Sequence, residues 1–175
     1  MSSCDGMMRR KSSHAPAMAA RTQIDAFVAQ YTPEIATQLR RARADLRNLI
    51  PKGYELVYDS HNALVFAFGP TAKASELVIS IAGYPNWVTL FFARGKALKD
   101  PQGLLEGSGA TVRSIRLAPF SVLRSRPVRA LIRQALAAQA DPFKQAPALT
   151  TVLKAISPKR RPRTPGGPKS RPPPK

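Results

Sequence analysis

The spacing of apolar and polar positions along this 175-residue chain changes from helical to alternating and back, and each change marks a new kind of element. Between Thr32 and Ile50, apolar residues recur at Ile35, Leu39, Ala42, Leu46, Leu49 and Ile50, which predicts a helix with one apolar stripe. Thr32-Pro33-Glu34 opens it with a cap, a proline fit for the first turn and an acid near the positive end of the dipole, and Pro51 with Gly53 stops it. A shorter helix is predicted just before, with Ile24, Phe27 and Val28 on one face and Thr22 with Asp25 close to a capping box. From Tyr54 the period falls to two. Tyr54, Leu56 and Tyr58 alternate with Glu55 and Asp59, and the turn Ser60-His61-Asn62 leads into Ala63–Phe68, so a hairpin is expected.

Leu77–Ala82 and Trp87–Ala93 read as strands around Gly83-Tyr84-Pro85-Asn86, and their near-continuous apolar content makes them central strands. Val112–Leu117 completes five strands. Arg126–Gln139 then sets Val128, Leu131, Ile132, Ala135 and Leu136 on one helical stripe, with Ser125 as cap, to pack on the same sheet face as the first long helix. Leu149, Val152, Leu153 and Ile156 suggest a short amphipathic helix, weakened by Thr150-Thr151 and ended by Pro158. The expected architecture is α+β and two-layered, with helices on one face of a mainly antiparallel five-stranded sheet in the order α-α-β5-α. The expected organisation is a flexible basic head over 1–22, a folded domain over 23–140, the short helix within 141–157, and a disordered tail over 158–175. That tail, KRRPRTPGGPKSRPPPK after Pro158, has no apolar residue to bury.

Charge adds a second layer to this picture. Lys and Arg number 28 against 10 Asp and Glu, a net +18 that favours polyanions such as nucleic acid or ribosomes. Much of the excess sits on the ends, where Lys159, Arg160, Arg161, Arg163, Lys169, Arg171 and Lys175 are placed to displace phosphate counterions without reading sequence. Arg40, Arg41, Arg43 and Arg47 decorate the long helix, as a solvated face or a specific anion site. The single cysteine, Cys4, permits no internal disulfide and suits a reducing compartment, so a cytoplasmic location is expected. No apolar run approaches the roughly 18–20 residues of a bilayer span, and SSHAPAMAA after Arg9-Arg10-Lys11 is too polar for the core of a signal peptide.

Chemistry-bearing clusters are few. Asp59 and His61, two apart on an extended segment, are the one acid and histidine near each other and the one candidate metal pair, although Asp-Ser-His-Asn is also ordinary turn chemistry. Cys4 and His14 offer at most an adventitious site in the head. Glu106-Gly107-Ser108-Gly109 resembles a phosphate-cradling turn but leads into a strand and lacks a following Lys-Ser or Lys-Thr, so a tight turn positioning Val112 is favoured. No serine has an evident partnered base, and no residue is named as catalytic. Tyr84, Trp87 and Phe91, with Arg113 or Arg116 orienting an anion, form the candidate ligand site on the sheet face away from the helices. The same face also suits a second copy of the chain.

From about Ile24 to Gln139 the chain resembles the YdhG-like family, a bacterial domain of unknown function. The resemblance rests on Ile24-Asp25-Ala26-Phe27 before Thr32-Pro33-Glu34, on Trp87-Val88-Thr89-Leu90-Phe91-Phe92, and on Gly103-Leu104-Leu105-Glu106-Gly107-Ser108-Gly109 followed by Val112-Arg113-Ser114-Ile115-Arg116-Leu117. It implies a two-layer α+β fold, and through a branch similar in role to frataxin it implies iron as a cargo held on acidic surface residues. The acids of this chain, Asp25, Glu34, Asp45, Glu55, Asp59, Glu76, Asp100 and Glu106 among them, are scattered in sequence. The expected role is a non-enzymatic binding module for a small ligand or protein partner, with nucleic-acid association through the ends or iron carriage as alternatives.

Overall fold

The structure, a computed structural model, describes residues 14–156 and Arg163. Two helices come first, α1 over His14–Val28 and α2 over Pro33–Leu49. Thr32 caps α2 as expected, its Oγ1 accepting from the Ile35 N–H at 3.4 Å. The capping box expected at Thr22 does not exist. α1 begins at His14, eight positions earlier, so Thr22 lies inside the helix and returns its hydroxyl proton to the Met18 carbonyl at 3.1 Å. Residues 14–22, expected within the head, are thus part of the α1 helix, while Cys4 and the residues before His14 fall outside the described residues.

Five strands follow at the expected places: β1 Tyr54–Asp59, β2 Leu64–Gly69, β3 Ile79–Gly83, β4 Val88–Phe92 and β5 Arg113–Arg116. They pair antiparallel in succession. α3, Arg126–Ala137, follows, with Ser125 at the N-cap position but no side-chain cap bond. A short α4, Ala140–Gln145, leads to β6, Thr150–Ile156.

β6 is the main departure from the sequence reading, which expected a helix there. The sheet has six strands in the order β5-β4-β3-β2-β1-β6, and β6 runs parallel to β1. An apolar set at Leu149, Val152, Leu153 and Ile156 fits a helical stripe, but Thr150, Thr151 and Val152 are β-branched and favour a pleated surface. The open edge of β1 decides between them, because it offers a row of backbone donors and acceptors. The approach is fixed by backbone bonds from Gly53 N to Pro147 O, from Leu149 N to Pro51 O and from Thr150 N to Gly53 O, at 2.8, 2.9 and 3.0 Å. Gly53 makes this junction with φ +108°, and a Cβ there would come within 2.5 Å of the Gly69 carbonyl oxygen.

The core lies between the helices and one face of the sheet. Its strand residues are Val57 of β1, Leu64, Phe66 and Phe68 of β2, Ile79 and Ile81 of β3, Val88, Leu90 and Phe92 of β4 and Ile115 of β5, packed with Leu39 and Leu46 of α2 and Leu131 and Ile132 of α3. α3 thus shares the face of α2, as expected. Gly83 lets α2 approach closely, since a Cβ there would meet the Leu39 side chain at 2.8 Å. The opposite face carries Tyr54, Leu56, Tyr58, Val65, Ala67, Ser80, Ala82, Thr89, Phe91, Ser114 and Arg116 by register, and none of these enters the main core cluster.

Candidate functional site

The alternation in β1 puts Glu55, Val57 and Asp59 on the helix-covered face, so both acids are buried. Each is matched by arginine. Glu55 is reached by Arg43 of α2 through Nε at 2.7 Å and Nη2 at 2.9 Å, by Arg47 Nη1, and by the Thr151 hydroxyl of β6 at 2.7 Å. Burial pushes the Glu55 carboxyl up, but the hydrogen bonds and charge of Arg43, with Thr151 and Arg47, more than reverse it, so the group titrates below its ordinary range. Arg43 also stacks its guanidinium over Phe66 at 4.8 Å. Of the four arginines expected on the solvated face of this helix, Arg43 and Arg47 instead turn inward to an acid.

Asp59 is matched by Arg163, which arrives from the far end of the chain. The pair is buried on both sides, and Arg163 also lies over the Tyr31 ring at 5.0 Å and donates to the Ser60 carbonyl at 3.3 Å. Tyr31 ties the same corner together: its hydroxyl donates to the Gly83 carbonyl at 2.6 Å and accepts from the Leu64 N–H at 2.9 Å. Burial raises its pKa, against an opposing pull from Arg163. Of the expected metal pair, Asp59 is buried on the core side of β1 with Arg163, and His61 is exposed on the turn that follows. Among the described residues, no three His, Cys, Asp or Glu side chains are grouped to hold a metal. Arg163 was also expected among the phosphate-binding cations of the tail, and it is spent on Asp59; Lys159, Arg160, Arg161, Lys169, Arg171 and Lys175 lie outside the described residues.

The five residues of the expected ligand site divide. Arg116 lays its guanidinium 4.6 Å from the Trp87 ring centroid, and Tyr84 stands 5.4 Å from Trp87 on the other strand of the turn, which closes by a 2.8 Å bond from Tyr84 N to Trp87 O. Phe91 lies further along the uncovered face, opposite Ser114. Arg113 is elsewhere: it belongs to the covered side of β5, and its Nη1 donates to the carbonyls of Gly109 and Val112 at 2.6 and 2.7 Å. It braces the Gly-rich turn, which Glu106 and Ser114 close by reciprocal backbone bonds of 2.8 and 2.9 Å. Val112 beyond that turn is exposed and precedes β5.

Trp87 also walls a groove of 440 Å³ whose other sides are Pro85, Asn86, Leu117 and Phe120 and, from the first turns of α2, Thr32, Ile35 and Gln38. Glu34 stands at its rim. The sequence signalled the aromatic cluster through alternation, but the contribution of α2 and of Phe120 had no local signal. No helix among the described residues is long and apolar enough to cross a membrane. The chain matches no known family model, no curated protein and no solved structure.

Proposed function

We propose that this chain is a binding module of YdhG-like type, which holds a small planar, anionic ligand against Trp87. The observation that carries this reading is the Arg116 guanidinium stacked on the indole beside Tyr84, the same Trp87 forming one wall of a groove. A stacked guanidinium keeps its N–H edge free for an anion while the aromatic rings offer faces to a flat ring system. Trp87 is the only tryptophan, so its fluorescence reports this site alone. Adenosine monophosphate should change that fluorescence saturably, whereas adenosine or phosphate alone should bind more weakly, since each supplies one half of the recognition. No saturable change with any of the three would refute the reading.

The charge of the chain supports a second role, sequence-independent association with nucleic acid. Removal of residues 158–175 should then abolish salt-dependent RNA binding. Iron carriage, which the resemblance implies for one branch, is tested by calorimetric titration with ferrous iron.

A further inference from the structure

A second concave site lies on the other side of the molecule. A cleft of 610 Å³ opens between α1, α2 and the start of β6, lined by Arg21, Asp25, Arg43, Arg47, Thr150 and Thr151. Arg40 borders a smaller cleft that shares Asp25, Arg43 and Arg47. Three cations, Arg21, Arg43 and Arg47, therefore line the larger cleft with Asp25 as its one acid, while Glu55 is bound by Arg43 and Arg47 from beneath. Glu55 is fully buried, whereas the side chains of Arg43 and Arg47 keep 21 % and 36 % of their exposure. One carboxylate would need only one arginine.

Two arginines on one acid leave an excess positive charge at the cleft, where their partly exposed forks can meet an anion. Glu55 occupies Nε and Nη2 of Arg43 and Nη1 of Arg47, and Thr151 accepts from that same Nη1 at 3.0 Å. Nη1 of Arg43 and Nε and Nη2 of Arg47 make no protein hydrogen bond among the described residues. The buried acid thereby fixes the orientation of both forks while most of the second fork stays available, as preorganised recognition of an oxyanion requires.

We propose that this cleft binds a small oxyanion, a phosphate or carboxylate group, on Arg43 and Arg47, with Arg21 and Thr150 at the rim. The site is separate from the Trp87 groove and stands or falls independently of it.

Calorimetry of the full chain with pyrophosphate and with citrate tests the proposal and tells the two chemistries apart, because the tighter of the two identifies the preferred group. Wild type should bind one of them at one site per chain. Arg47→Lys keeps the charge and leaves Arg43 on Glu55, but loses the fork, so affinity should fall about tenfold. Arg21→Ala, at an exposed position, should weaken binding a few-fold, and replacing both Arg160 and Arg161 by Ala should leave it unchanged. Equal affinity in wild type and Arg47→Lys, or binding lost with the tail pair, would show a general attraction to a basic protein and overturn the proposal. So would the absence of saturable heat with either anion.

Discussion

The two faces of the sheet use arginine in opposite ways. On the covered face Arg43, Arg47 and Arg163 are turned inward to Glu55 and Asp59, acids that β1 delivers into the core. On the uncovered face Arg116 is exposed and has an aromatic ring for a partner, with no ion pair to an acid among the described residues. The lesson is that net charge alone does not measure what a basic protein offers to a partner, because part of it is consumed internally. Substitutions on the covered face should therefore act on stability, with Arg43 and Arg47 also serving the anion cleft, whereas those on the uncovered face should act on binding alone.

The largest effect should come from replacing Arg43 and Arg47 together by Ala, which strands the Glu55 carboxylate in the core. Orphaning a buried charge costs about 3–5 kcal/mol, to be read as a lower urea midpoint at unchanged slope. Acid sharpens the same point. Because the folded-state pKa of Glu55 lies below its ordinary value of 4.5, its contribution is fully present above that value and is lost as pH falls through the folded pKa. Arg43→Ala should shift acid unfolding to higher pH.

Arg163→Ala should follow, at about 2–3 kcal/mol, since Asp59 is held in β1 and cannot follow its partner into water. Asp59→Asn should cost less, because the arginine it releases sits on a terminal segment. If the two variants were equally destabilised, the fixed burial of Asp59 in β1 would not be what sets the cost. Tyr31→Phe removes one hydroxyl that serves two buried backbone groups, Gly83 O and Leu64 N. The expected cost is about 1–2 kcal/mol, measurable as a fall in Tm. The smallest stability effect belongs to Arg116→Ala, within about 0.5 kcal/mol for a surface position, yet this variant should bind adenosine monophosphate several-fold more weakly.

Much of this architecture was legible in the chain. Apolar periodicity located α2, the first five strands and α3, and Thr32-Pro33 located the start of α2. The alternation of β1 was equally legible, but which of its faces is covered was not. Tyr54, Leu56 and Tyr58 look like the interior set by composition, and only arginines on α2 and at position 163 make the acidic side buriable. β6 was missed because a short apolar run satisfies two periods and the choice falls to a distant strand edge. At the candidate site, Trp87 and Arg116 could be paired through strand register, whereas Phe120 and the first turns of α2 enter only by tertiary packing.

A fluorescence titration of Trp87 with adenosine monophosphate, in wild type and Arg116→Ala side by side, tests the division between the faces most directly. The account predicts saturable change in wild type and a several-fold weaker response in a variant of unaltered stability. An identical response in both proteins, or loss of binding only through loss of folding, would contradict it.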